Sequence, residues 1–274
     1  MSNFIHYIMD IVIDPFMGKC LVAASDYKAD EIIIKKVPDY VSYDSEDEIT
    51  KYCAMCWKRT SDAIPCDACN GAVCYCSSRC KSLHKHSKDH CRALRIFHDD
   101  HVIFRKNKDF YPDVRQLIDI LGSDHASLYS FSLSETDNRV YNYATYVCSL
   151  YNNNYTHDYV QKIANIINTH TFAKQVLDIK IGFIEHSCTS NCDVIAEKDM
   201  IICKAKKDIS KGERLSITYC KFDDIYHHDV VKKYIKYFFG FSCCNEIYEN
   251  DDSKSKVLTA FDPLTGRQMD FTMS

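Results

Sequence analysis

The chain has 274 residues, 46% of them hydrophobic and 26% charged, with a formal net charge of -4. This apolar content suffices for one large or two modest domains, and the slight acidity excludes a general nucleic-acid binder, which is as a rule strongly basic. Only 7 Gly and 5 Pro exclude a collagen-like or low-complexity chain, while 16 Cys raise the question of metal.

The N-terminus, MSNFIHYIMDIVIDPFMG, has no basic segment before its apolar residues and is broken by Asp10 and Asp14, so it does not read as a signal peptide. No apolar run reaches the roughly 18 residues that a membrane span requires. The expectation is a soluble intracellular chain, in cytoplasm and/or nucleus, without membrane contact. Disulfides are not expected there, so clustered cysteines point to metal.

Residues 10–37 read as paired strands: Ile11-Val12-Ile13, Leu21-Val22-Ala23 and Glu31-Ile32-Ile33-Ile34, with turns at Gly18 and near Asp26. Residues 43–51, YDSEDEITK, read as a solvated acidic connector. Residues 113–121, 139–150 and 158–170 carry apolar residues at helical spacing, as in Val160, Ile163, Ala164 and Ile167. Between 176 and 219 β-rich runs return: Val194-Ile195, Met200-Ile201-Ile202 and Leu215-Ser216-Ile217. Residues 229–239 read as a short helix, and the polar tail from 249 as partly mobile. The two β-rich halves are expected to join into one domain with insertions.

Residues 53–91 carry the most specific pattern: Cys53-x2-Cys56, Cys66-x2-Cys69, Cys76-x3-Cys80, His86 and Cys91. Two intervening residues let a tight turn aim both thiolates at one tetrahedral ion. Three place Cys76 and Cys80 on one face of a helical turn. These ligands make two structural zinc sites, which an interleaved pairing divides into Cys53, Cys56, Cys76, Cys80 and Cys66, Cys69, His86, Cys91. Cys74 rivals Cys76, and His84 and His90 rival His86. Tyr75-Cys76-Ser77-Ser78-Arg79-Cys80 resembles the MYND finger pattern. That resemblance implies a surface for proline-containing peptides.

Such a finger between two β segments resembles the SET- and MYND-domain lysine methyltransferases over about residues 10–245. Met17-Gly18-Lys19-Cys20-Leu21 stands at the family's glycine turn beside S-adenosylmethionine, with Cys20 in place of a second glycine. Leu128-Tyr129-Ser130-Phe131 resembles a segment whose Tyr encloses the cofactor, and Asn138 or Asp137 is the counterpart of an Asn that touches it. Phe183-Ile184-Glu185-His186-Ser187-Cys188-Thr189-Ser190-Asn191-Cys192 resembles the signature Asn-His-Ser-Cys-x-Pro-Asn-Cys, with Glu185 replacing Asn and Ser190 replacing Pro. His170 likewise stands where an Asn is usual. The segment from Ala205 to Tyr219 resembles the strand–turn–strand that ends in the catalytic Tyr. Phe239-Gly240-Phe241-Ser242-Cys243 resembles the start of the post-SET segment, but Cys243-Cys244-Asn245-Glu246 does not continue the family's cysteine pattern, so a third zinc is not expected.

The resemblance implies an α+β fold, in which the SET β-fold is split by an inserted MYND zinc finger and a helical block. Its divisions would be 1–48 (N-terminal SET segment), 49–92 (finger), 93–175 (helical insertion), 176–222 (core SET segment), 223–248 (post-SET) and 249–274 (tail). It implies S-adenosylmethionine-dependent methylation of a protein lysine by a monomer. Tyr219 would be catalytic, and Gly18, Lys19, Tyr129, Asn138, Glu185, His186 and Phe241 would hold the cofactor. The family's larger members carry a C-terminal helical-repeat domain, and Ser274 falls about where it would begin. Two competing readings are a catalytically inactive SET/MYND interaction module and a nucleic-acid-binding zinc finger. The acidic charge disfavours the second, and no direct nucleic-acid partner is expected.

Overall fold

The computed structural model describes residues 10–14, 18–84, 87–100, 111–123, 125, 128, 131, 138–172, 175–219, 232–233, 235–236, 239, 241, 258–261 and 268–271. Its first strands are β1 (Asp10–Asp14), β2 (Gly18–Val22), β3 (Ile32–Lys36), β4 (Tyr40–Val41), β5 (Ile64–Pro65) and β6 (Cys74–Tyr75). Helices α1 (Ser78–Leu83), α2 (Lys88–Asp99), α3 (Tyr111–Leu121), α4 (Asn138–Leu150) and α5 (His157–His170) follow. The chain then returns to strands: β7 (Val176–Leu177), β8 (Glu185–His186), β9 (Cys192–Glu197), β10 (Met200–Ala205), β11 (Ser216–Ile217), β12 (Leu258–Phe261) and β13 (Gln268–Phe271). Two compact units result: Met1–Lys36, Asp178–Ala196 and Met200–Ser274 form one, and Val37–Leu177 with Glu197–Asp199 the other. Among the described residues no helix is long and apolar enough to cross a membrane.

In the first unit, β1 and β2 pair antiparallel, with Asp10 opposite Val22 and Asp14 opposite Gly18. Cys20 and Leu21 are fully buried, whereas Ile11, Val12 and Ile13 are exposed. The far edge of β2 bonds to the segment leading into β11, where the Leu215 N–H donates to Leu21 O at 2.9 Å and the Gly212 N–H to Ala23 O at 2.7 Å. Gly212 has φ +81°, a left-handed conformation in which a Cβ is unfavourable. A second sheet runs β3-β10-β9. Its central strand alternates, burying Ile201, Cys203 and Ala205, as a strand with one covered face should. Each large aliphatic side chain in this core contributes about 1.5–3 kcal/mol by leaving water.

The pair that positions the site is β8 with β11. These strands run parallel, with Glu185 opposite Ser216 and His186 opposite Ile217. Parallel neighbours need a crossover, and here β9 and β10 lie between them in the chain. The pairing rests on the Glu185 N–H to Leu215 O (3.3 Å) and the Ser187 N–H to Ile217 O (3.0 Å).

In the second unit α3 to α5 fall where helical spacing was expected; Val160, Ile163, Ala164 and Ile167 of α5 are all buried. Thr156 caps α5 by accepting the Tyr159 N–H at 3.4 Å. β4 pairs antiparallel with β7. The fully buried Arg115 of α3 donates from Nε to Asp119 Oδ2 (3.0 Å) and from Nη1 to Ala72 O (2.9 Å), and its guanidinium lies 4.8 Å from the Tyr43 ring centroid.

One sequence expectation is corrected here. The acidic stretch 43–51 is not a solvated connector: Tyr43 and Ile49 are buried. The stretch holds the buried Lys198 ammonium, with Glu48 Oε2 at 3.2 Å, Asp44 Oδ2 at 3.6 Å and Ser42 O accepting from it. A buried cation requires such partners. The polar tail contains β12 and β13, paired antiparallel. Within the expected helix 229–239, residues 232–233, 235–236 and 239 are helical, and the rest lie outside the described residues.

Candidate functional site

Tyr219 stands two residues beyond the end of β11. Its backbone N–H donates to His186 Nδ1 (3.2 Å), and its hydroxyl donates to the Ile184 carbonyl (2.7 Å). Because Nδ1 accepts, the neutral imidazole carries its proton on Nε2, which stands 3.4 Å from Cys188 Sγ. Burial holds His186 down at about 4. Burial, and after it the Glu185 carboxylate, pushes the Tyr219 phenol well above its ordinary value, so the hydroxyl keeps its proton at neutral pH. Ring centroids of Phe239, His186 and Phe241 lie 4.8, 5.2 and 6.2 Å from that of Tyr219. Aromatic faces beside a carbonyl and a carboxylate make a place that favours positive charge.

Glu185 faces Arg214, with Oε1 3.3 Å from Nη1. Lys19, exposed at the start of β2, places its ammonium 5.7 Å from the Phe183 ring centroid. Gly18 begins β2 opposite Asp14, at the end of the hairpin. Asn138 opens α4. Tyr129 and His86 lie outside the described residues.

The cysteines gather in two groups. Cys53, Cys56, Cys76 and Cys80 have their sulfurs within 4.8 Å of one another, as do Cys66, Cys69 and Cys91. Local turns create both. Cys53 accepts the Trp57 N–H (2.8 Å), closing the first knuckle. Cys66 accepts the Gly71 N–H (2.9 Å), with Gly71 at φ +78°. Ser77 caps α1 by accepting the Cys80 N–H at 3.2 Å, which brings Cys80 back over Cys76. Neighbouring sulfurs in the first group lie 3.7 Å (Cys56–Cys76) and 3.6 Å (Cys76–Cys80) apart. A tetrahedron of sulfurs with the usual zinc–thiolate bond of about 2.3 Å has an edge of about 3.8 Å, so this donor set fits zinc. Burial first, and neighbouring sulfurs after it, push Cys56 and Cys69 up to about 12 and Cys91 up to about 11. A divalent cation is what would remove those protons. Of the rivals, Cys74 turns its sulfur towards Gly71 O (3.8 Å), His84 meets the Tyr75 hydroxyl through Nδ1 (2.9 Å) and His90 meets the Tyr151 hydroxyl through Nδ1 (2.9 Å).

Comparison with known proteins extends this picture. Residues 18–220 match the family model described as SET domain. The chain belongs to the SET domain family. Among curated relatives of this SET chain is the SET domain and MYND-type zinc finger protein 6 of Schizosaccharomyces pombe, 27% identical over 272 residues, covering 90% of this chain and 53% of the relative. Another is the histone-lysine N-methyltransferase ASHR1 of Arabidopsis thaliana, 25% identical over 237 residues, with coverage of 75% and 48%. The SET chain thus spans about half the length of these relatives. A solved SET domain of LSMT, bound to lysine and AdoHcy, aligns with a TM-score of 0.40 at 12% identity, over 88% of this chain and 54% of that one.

Three residues of this SET chain escaped sequence reasoning. Asn191 uses its whole side chain: Oδ1 accepts from the Ser216 N–H (2.8 Å) and hydroxyl (3.2 Å), and Nδ2 donates to Glu213 Oε1 (3.0 Å) and Arg214 O (2.8 Å). It ties the start of β9 to β11 and so fixes where Tyr219 emerges. Its place in the quoted signature was visible, but its partners were not. Arg214 pairs with Glu185 and Phe239 stacks on Tyr219, contacts that no local spacing reveals.

Proposed function

We propose that this chain is an S-adenosylmethionine-dependent protein-lysine N-methyltransferase whose methyl transfer occurs at Tyr219. The observation that carries the reading is the Tyr219 phenol, kept protonated and anchored on the Ile184 carbonyl among His186, Phe239 and Phe241, within a chain that matches the SET domain over residues 18–220. S-adenosylmethionine supplies a methyl group already activated by its sulfonium charge. The residues' task is positioning and electrostatics. The aromatic surroundings strip water from an entering lysine ammonium, which lowers its pKa and favours the free amine. The Tyr219 oxygen, its proton given to Ile184 O, keeps lone pairs with which to orient that amine. Gly18, Lys19, Tyr129, Asn138, Glu185, His186 and Phe241 would hold the cofactor.

Two structural zinc ions complete the reading. Cys53, Cys56, Cys76 and Cys80 would bind one, and Cys66, Cys69 and Cys91, with His86 as the fourth ligand, the other. The finger they form would be of the MYND type and would present a surface to proline-containing peptides. The chain would act as a monomer on a protein lysine, in cytoplasm and/or nucleus, without contact to nucleic acid.

The Glu185–Arg214 ion pair favours a second reading. A carboxylate already matched by a guanidinium has less to offer a cofactor ammonium, and the chain would then be a zinc-dependent interaction module. Calorimetric titration of zinc-loaded protein with S-adenosylmethionine separates the two. Saturable micromolar-range binding, weakened several-fold by His186→Ala, supports the enzyme. No heat from folded, zinc-loaded protein removes the enzyme and leaves the module.

A further inference from the structure

Residues 66–73 form the loop between β5 and β6, and Cys66 and Cys69 of the second cysteine group stand in it. The Cys66 N–H donates to Val73 O (3.0 Å) and the Ala72 N–H to Cys69 O (3.0 Å). At the tip lies Asn70-Gly71, the one Asn-Gly step in the chain. Both residues are left-handed, with φ +53° and +78°. Asn and Gly enter that region more readily than other residues, so the turn itself calls for this pair.

The same pair is chemically labile. An Asn side-chain amide is open to attack by the next backbone nitrogen, and a following glycine, having no Cβ, leaves the approach unobstructed. Asn70 is exposed, so water reaches its side-chain amide. The folded turn restrains the other partner. The Gly71 N–H donates to Cys66 O at 2.9 Å. Attack needs that proton removed and the nitrogen turned towards the Asn70 side chain. The restraint therefore lasts as long as the turn around Cys66 stays closed.

We infer that Asn70 is a site of spontaneous modification, held in check while the second cysteine group is closed and converted to isoaspartate when it opens. The inference rests on the zinc reading above, because a bound ion is what would keep Cys66, Cys69 and Cys91 together.

The step needs only water. Hydroxide takes the Gly71 N–H proton, and the nitrogen attacks Asn70 Cγ. The bond from Cγ to the side-chain nitrogen breaks, and that nitrogen takes a proton from water and leaves as ammonia. The resulting succinimide is opened by water. Opening at Cγ gives aspartate, and opening at the backbone carbonyl gives isoaspartate. Isoaspartate carries the chain through its side chain, which adds one backbone atom directly after Cys69 and leaves a carboxylate there. The bond from Gly71 to Cys66 O then falls out of register, and with it the turn that brings the two sulfurs together. Loss of the ion becomes irreversible at this group. The group of Cys53, Cys56, Cys76 and Cys80, whose turn at Trp57 has no Asn-Gly step, is spared.

The test incubates zinc-loaded full-length protein beside the same protein stripped by a chelator, both with a thiol reductant at mildly alkaline pH. Peptide mapping by mass spectrometry follows conversion at Asn70, and electron-transfer fragmentation separates isoaspartate from aspartate. Conversion is expected to run at least about tenfold faster in the stripped protein, since local opening gates the reaction. When zinc is returned, the converted chain should bind one ion and the unconverted chain two. Asn70→Gly keeps a residue suited to the left-handed turn and lacks the amide, so it should recover both ions after the same treatment. Equal conversion rates with and without zinc overturn the inference. So does a converted chain that binds two ions, or an Asn70→Gly chain that loses the second ion as readily as the parent. Fewer than two ions in freshly prepared protein overturns it together with the zinc reading, whereas two ions with equal rates overturns it alone.

Discussion

The cysteine groups and the Tyr219 site are held together by opposite means. The cysteines meet through local turns and a capped helix. The Tyr219 site is assembled by distant strands: β8 and β11 lie side by side, and β2 and Asn191 brace the segment that ends at Tyr219. One region should therefore depend on an ion, and the other on topology and buried polar bonds. The difference predicts which perturbation destroys which region.

Metal removal should have the largest effect. Structural zinc binding is linked to about 10–16 kcal/mol of folding free energy in isolated fingers. A strong chelator, or Cys53→Ser with Cys76→Ser, should abolish ordered structure over residues 53–91. Far-UV circular dichroism with metal quantification checks this, and two zinc ions per chain is the expected stoichiometry. A chelated protein with an unchanged spectrum would break the comparison.

Next comes Arg115→Ala, which strands the half-buried Asp119 carboxylate and empties the fully buried space under Tyr43. Breaking a buried ion pair from one side costs about 3–5 kcal/mol, and urea unfolding should report it in the second unit. Asn191→Ala should follow at about 2–3 kcal/mol, because it leaves the Ser216 N–H and Arg214 O without their partner. That variant should also weaken the Tyr219 site, since it loosens β11. A loss of stability without effect on the site would dissociate the two.

A further effect concerns pH. Burial holds His170 and His186 down at about 4, against an ordinary value near 6.5. The unfolded chain therefore takes up protons that the native chain refuses. The contribution is present in full above about 6.5 and is lost as pH falls towards about 4. Urea midpoints should drop between pH 7 and pH 5, and His170→Asn should flatten that slope.

What the sequence disclosed follows the same division. The two cysteine groups were legible because their spacing within turns is itself the geometry. The helices were legible from periodicity, as Val160, Ile163, Ala164 and Ile167 illustrate. The choice between Cys74 and Cys76 was not, because they stand only two residues apart and it takes the fold to show the Cys74 sulfur turned towards Gly71 O. Lys198 and the acidic stretch around Asp44 and Glu48 are far apart in the chain, so a buried cation site read as a solvated loop. The bonds of Asn191 and the Glu185–Arg214 pair are likewise long-range consequences of a parallel pairing that no local pattern encodes.

The central claim is that Tyr219 governs methyl transfer, and Tyr219→Phe tests it most directly. The variant loses one hydroxyl and its bond to Ile184 O, and keeps the ring. With radiolabelled S-adenosylmethionine and a lysine-bearing acceptor protein on which the parent chain is active, the account predicts that kcat falls about 100-fold or more. Cofactor affinity should stay within about threefold of the parent, the split expected when a transition-state contact is removed. Unchanged turnover by the variant would contradict the account.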